Sequence, residues 1–77
     1  DGAHGMRLEQ VESEQYLTVE HPMTKEHYLS FAAWVTGDRV QLVKWYPEQN
    51  AETRFQMRGH GMLYVYCNRH GLMGKRI

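Results

Sequence analysis

Residues 28–47 read YLSFAAWVTGDRVQLVKWYP, and their reading decides the fold class. Two runs rich in β-branched and aromatic residues, Tyr28 to Val35 and Arg39 to Tyr46, flank Thr36-Gly37-Asp38. Helical periodicity is poor in both runs, which favours strands. Gly37-Asp38 supplies the positive φ that tight hairpin turns need, so the two runs are expected to form an antiparallel hairpin. Pro47, with no N–H to give to a ladder, ends the second strand.

The same pattern extends outward in both directions. Arg7 to Glu12 and Gln15 to Glu20 read as two strands around Ser13-Glu14, the second with Leu17 and Val19 on one face and Tyr16 and Thr18 on the other. Thr53 to Arg58 is a fifth candidate. Met62 to Cys67 is a sixth, with Leu63, Val65 and Cys67 alternating against Met62, Tyr64 and Tyr66. Six or so short strands in 77 residues predict an all-β chain, a small antiparallel sandwich or barrel forming one domain over residues 1–77.

Size limits what such a domain can do unaided. A chain of this length buries only about 60% of its unfolded surface. The single cysteine rules out an intramolecular disulfide, which leaves a metal or a partner subunit as the source of added stability. Lys plus Arg and Asp plus Glu are both 9, so charge balance suggests neither nucleic acid nor an anionic membrane as partner. No apolar run approaches the ~20 residues of a membrane span, and a lone reduced thiol fits a cytoplasmic setting. The opening Asp1-Gly2-Ala3 reads like the tail of a linker, so an upstream domain is expected to be missing.

Two short segments carry the chemistry. Cys67-Asn68-Arg69-His70 closes the sixth strand, and two residues between ligands is the spacing at which a tight turn brings thiolate and imidazole to one ion. On spacing alone, a buried thiol beside a surface histidine explains it equally well. His21-Pro22-Met23-Thr24-Lys25-Glu26-His27 is the second segment, with a histidine at each end of a loop that Pro22 holds out of a helix. Two such pairs together shift the reading to a metal. One cysteine among several histidines argues against structural zinc and leaves iron or copper, with Met73 as the axial ligand in the copper case.

Read together, EHPMTKEHYLSF (residues 20–31) and YCNRHGLM (66–73) resemble the two signature segments of the superoxide reductases, the desulfoferrodoxin and neelaredoxin family. VTGDRVQLVKWYPEQNAETRF between them resembles the family's intervening strands, so the likeness runs from about Leu17 onward. The resemblance implies a seven-stranded immunoglobulin-like β-sandwich. It also implies a mononuclear non-haem iron with four histidines in a plane, a cysteine thiolate below and the sixth position open. On this match His21, His27 and His70 are equatorial ligands and Cys67 is the axial one. HGMRLEQV (4–11) falls on the family's Glu-Lys-His-Val-Pro region, which makes His4 the fourth imidazole. Gly2-Ala3 stands where the family has Glu-Lys, and Gly5-Met6 where it has Val-Pro. His60, the rival, would lie roughly 20 Å from Cys67 if residues 60–67 run on as a strand.

What the resemblance implies for function is one-electron reduction of superoxide to hydrogen peroxide, with no dioxygen formed. A one-electron donor such as rubredoxin would re-reduce the iron, and the protein would be a homo-oligomer. With the family lysine missing, steering of superoxide falls to Lys25, or to Arg69, Lys75 and Arg76. The alternative is a metal-binding or electron-transfer module on the same sandwich, cupredoxin-like or without turnover. Trp34, Trp45, Phe31, Phe55 and Tyr64 are expected in the core or an interface, Met23 and Met73 in the pocket or core, and Glu26, Glu48 and Glu52 on the surface.

Overall fold

A computed structural model of the chain describes residues 5–56 and 59–77. Seven strands follow one another: β1 (Met6–Val11), β2 (Glu14–Val19), β3 (Leu29–Val35), β4 (Val40–Lys44), β5 (Glu52–Phe55), β6 (Met62–Cys67) and β7 (Gly71–Arg76). They pair antiparallel into a three-stranded sheet, β1-β2-β5, and a four-stranded sheet, β4-β3-β6-β7. The chain crosses between the sheets after β2, after β4 and after β5, giving the immunoglobulin-like sandwich that the resemblance implied.

Alternation builds the layer between the sheets. Leu17 and Val19 of β2, and Leu63, Val65 and Cys67 of β6, point inward and are buried, while their sequence neighbours face out. In β3 both Leu29 and Ala32 point inward although they are three apart, because the register shifts between Leu29 and Phe31. A bulge of this kind inserts one residue and re-aims the chain. Ser30, at the bulge, accepts the Trp45 amide at 2.8 Å. The Trp45 indole in turn donates to the Glu52 carbonyl at 3.2 Å, fastening the corner where the chain passes from β4 to β5. Trp34, Trp45 and Phe55 fill the core. Gly61 is required there, since a Cβ on it would lie 2.4 Å from the Val35 carbonyl oxygen.

Three sequence expectations change. The β3–β4 hairpin forms, but not through a positive φ at Gly37-Asp38: Val35 pairs with Val40, Thr36 N–H donates to Arg39 O at 2.9 Å, and the Thr36 hydroxyl donates to Asp38 at 3.1 Å. A four-residue turn held by its own side chains does not need the left-handed region. Residues 71–76 form a seventh strand that the residue pattern alone did not reveal. The fifth strand ends at Phe55, and residues 57–58 of the expected run lie outside the described residues.

Candidate metal centre

The loop ends at one pole of the sandwich gather the donor atoms. His21 follows β2 across Glu20, His27 precedes β3 across Tyr28, Cys67 ends β6, and His70 sits in the turn to β7. The antiparallel pairing of β3 with β6 sets Leu29 opposite Cys67, so the start of one strand and the end of the other coincide. Cys67 pairs with Gly71 across the three-residue turn 68–70. Gly71 has φ +84°, the left-handed conformation that lets a three-residue hairpin loop close, and here it holds His70 over the cysteine.

One ligand atom from each of His21, His27, Cys67 and His70 lies within 4.8 Å of the other three. Two donors on opposite sides of a first-row ion at bond lengths of 2.0–2.3 Å stand about 4.4 Å apart, so the spread suits one ion. His70 Nδ1 is 3.4 Å from Cys67 Sγ, near the ~3.1 Å of neighbouring ligands at a right angle. The His21 Nδ1–H donates to the Pro22 carbonyl at 2.6 Å, which leaves the lone pair on Nε2. The Nε2 atoms of His21 and His27 are both sealed from solvent.

The rings also report an angular arrangement. Ring centroids are 4.6 Å apart for His21 and His27, 5.0 Å for His27 and His70, and 6.3 Å for His21 and His70, each pair edge-on. For imidazoles bound through nitrogen to one ion, with centroids about 3.2 Å from it, these separations correspond to angles of roughly 90°, 100° and 160°. The widest angle separates His21 from His70, with His27 between them. A tetrahedral site would instead hold the three rings at equal separations of about 5.2 Å. One thiolate and three imidazoles at these separations could hold a single transition-metal ion.

Two groups tie the segments together, and the sequence reading assigned neither of them this task. The Asn68 carboxamide accepts the Tyr28 N–H at 2.8 Å and donates to the Glu26 carbonyl at 3.0 Å, while its backbone N–H donates to Tyr28 O at 3.1 Å. Arg69 Nε donates to the same Glu26 carbonyl at 3.1 Å, and the Arg69 amide donates to Cys67 Sγ at 3.4 Å. Thr24 shapes the His27 side: its hydroxyl accepts the His27 N–H at 3.1 Å, and its own N–H donates to His27 O at 3.0 Å. The signals were present as a Thr three residues before a ligand and an Asn directly after one, both habitual turn-formers.

The other expected site residues fall as follows. His4 lies outside the described residues. His60 is at the far end of β6, where its Nδ1 is 3.4 Å from Ile77 O, so it takes no part in the centre. Lys25 is exposed in the Thr24–His27 turn. Arg69 is engaged by Glu26, and Lys75 and Arg76 pair with Leu63 and Met62, away from Cys67. Met73 packs in the core opposite Val65, and Met23 Sδ accepts the Leu29 N–H at 3.3 Å. Among the described residues no helix is long and apolar enough to cross a membrane.

Comparison with known proteins agrees with this architecture. The family model described as Desulfoferrodoxin matches residues 8–76. A desulfoferrodoxin of Clostridium acetobutylicum is 40% identical over 55 residues, covering 71% of this chain and 44% of the relative. The chain thus spans about half the length of the curated relatives it matches. Among solved structures, the superoxide reductase from Treponema pallidum superposes with a TM-score of 0.76 at 26% identity, covering 95% of this chain and 64% of that one. The 1Fe superoxide reductase from Giardia intestinalis shares the fold over 97% of this chain and 96% of its own, with a TM-score of 0.78 at 16% identity.

Proposed function

The chain belongs to the desulfoferrodoxin family, and from that premise we propose that it is a superoxide reductase domain whose iron is held by His21, His27, His70 and Cys67, with His4 as the fourth imidazole. The observation that carries this reading is the convergence of one ligand atom from each of three histidines and the buried Cys67 within 4.8 Å of one another. Gly5, next to His4 in the sequence, accepts the Glu20 N–H at 3.5 Å, so β1 begins beside the residue that precedes His21.

Iron bound there supplies the one-electron couple that turns superoxide and two protons into hydrogen peroxide. The chain's own groups do the rest. Cys67, fully buried, offers a thiolate whose charge the Arg69 amide partly balances, which holds the sulfur in place and moderates its donation. Asn68 and Arg69 fix the two ligand-bearing turns against each other and Thr24 shapes the His27 turn before any ion binds, so little reorganisation is left to binding. Lys25, exposed in the same turn as His27, adds a cation near the approach of an anionic substrate. Re-reduction falls to a one-electron donor such as a rubredoxin, in a reducing cytoplasm.

Anaerobic loading with ferrous iron followed by oxidation tests the ligand set. One iron per chain and a visible thiolate-to-iron absorption band are expected, with the band lost in Cys67→Ser. A band that survives this substitution would remove Cys67 from the site. For Lys25, the salt dependence of the superoxide rate should flatten in Lys25→Ala; an unchanged slope would exclude it from steering.

A further inference from the structure

The loop that carries His21 and His27 also carries a sulfur. Met23 lies between the two histidines, half-buried, with its side chain packed against the core. Its Sδ accepts the Leu29 N–H at 3.3 Å. Leu29 is fully buried at the start of β3, opposite Cys67 in the pairing of β3 with β6. One bond to a thioether, a weak acceptor, thus ties the middle of the His21–His27 loop to the strand that faces the cysteine. The Met23 carbonyl in turn accepts the Glu48 N–H at 2.5 Å, so both ends of this residue hold the loop in place.

The side chain is also within reach of small solutes. Met23 lines an open cleft of about 400 Å³ together with Thr18, Glu20, His21, Glu48 and Asn50. Among the other described methionines, Met6 and Met73 are buried in the core, and Met62 starts β6 at the end away from Cys67. Met23 alone among the described methionines combines access with a place in a ligand-bearing loop. A thioether is soft and nucleophilic towards peroxide, and its sulfoxide is polar, chiral and enzymatically reducible.

We propose that Met23 is a modification site, at which hydrogen peroxide forms a sulfoxide that loosens the metal centre. A lone pair on Sδ attacks one peroxide oxygen, and the O–O bond breaks. The departing hydroxide takes the proton left on the transferred oxygen and becomes water. Sulfur loses two electrons and peroxide gains them, so methionine and hydrogen peroxide give methionine sulfoxide and water with no further reactant. The Leu29 N–H occupies one lone-pair direction on the sulfur and leaves the other to the peroxide, so a single sulfoxide epimer is expected. In the product the acceptor is the new oxygen, one bond further out and on the other side of the sulfur. Either the loop shifts to bring that oxygen to Leu29, or a buried N–H loses its partner. Both outcomes disturb the spacing of His21 and His27. The proposal goes beyond the superoxide reading and does not rest on it, because peroxide from any source suffices.

Millimolar hydrogen peroxide added to the ferric, iron-loaded chain tests it. After digestion, mass spectrometry should find one added oxygen at Met23, removed by only one of the two epimer-specific methionine sulfoxide reductases. Competition against a chelator should show iron affinity reduced about 10-fold in the oxidised chain. The same competition with zinc runs without any redox chemistry at the metal, so failure of the superoxide reading leaves the test intact. Met23→Gln, which sets a carboxamide oxygen where the sulfoxide sets its own, should reproduce the loss without peroxide. Met62→Leu should leave the peroxide effect in place, and Met23→Leu should abolish it; the thiolate-to-iron band verifies folding of each variant. An unoxidised Met23, equal amounts of both epimers, unchanged affinity after Met23 is oxidised, or a peroxide effect that persists in Met23→Leu would each overturn the proposal.

Discussion

Asn68→Ala removes two hydrogen bonds at once, the one from Tyr28 N–H at 2.8 Å and the one to Glu26 O at 3.0 Å. Each is worth about 1 kcal/mol net, so the apo chain should lose about 1.5–2 kcal/mol. In a domain of this size that lowers the melting temperature by roughly 10 °C. The backbone pair between Asn68 and Tyr28 and the Arg69 Nε bond to Glu26 remain, so the turns loosen without separating. Because the lost bonds hold the His27 turn against the Cys67–His70 turn, iron affinity should fall about 10- to 100-fold. Thermal unfolding of the apo chain and competition against a chelator of known affinity measure the two effects separately. Asn68→Asp keeps the acceptor for Tyr28 but sets a carboxylate against the Glu26 carbonyl, and should show at least half of each loss. A melting temperature within about 2 °C of wild type together with unchanged affinity would refute the view that Asn68 couples the two turns.

Three further outcomes are expected. The Tyr16 hydroxyl donates to the Glu52 carboxylate, which holds the phenol's pKa above its ordinary value. The folded chain therefore keeps a proton that the unfolded chain loses above about pH 10, and stability falls as pH rises from there. Denaturation curves of Tyr16→Phe should lie below wild type at neutral pH, lack that alkaline fall, and converge with wild type as the pH rises. Gly61→Ala drives a Cβ to within 2.4 Å of the Val35 carbonyl and should destabilise the chain by about 1–3 kcal/mol in urea titrations. Iron binding measured in His4→Ala and His60→Ala should weaken only in the former; the reverse pattern would reassign the fourth imidazole.

Strand existence was legible because the inner positions of β2 and β6 alternate strictly with outer ones, a pattern that survives in the sequence as Leu17, Val19 and Leu63, Val65, Cys67. β7 was not legible. Gly71-Leu72-Met73-Gly74-Lys75-Arg76 has no β-branched residue and two glycines, and it becomes a strand because the turn at Gly71 lays it along β6. Tertiary pairing overrode local propensity there. Five ligands were expected from spacing and from the likeness of two segments; four of these side chains converge at one pole, and His4 lies outside the described residues. Of the groups around them, Thr24 left a local turn signal, since it bonds His27 three residues on, but the partners of Asn68 lie about 40 residues away and no local pattern encodes them.

The central claim is that this centre reduces superoxide. The most direct test is the yield of hydrogen peroxide per superoxide consumed, in a single turnover of chain loaded anaerobically with ferrous iron. The account predicts one peroxide for each superoxide, no dioxygen, and the thiolate-to-iron band appearing as the iron oxidises. Half that yield with dioxygen released would mean dismutation, and a rate no greater than that of the metal-free chain would mean a metal-binding or electron-carrying module; either result would contradict the account.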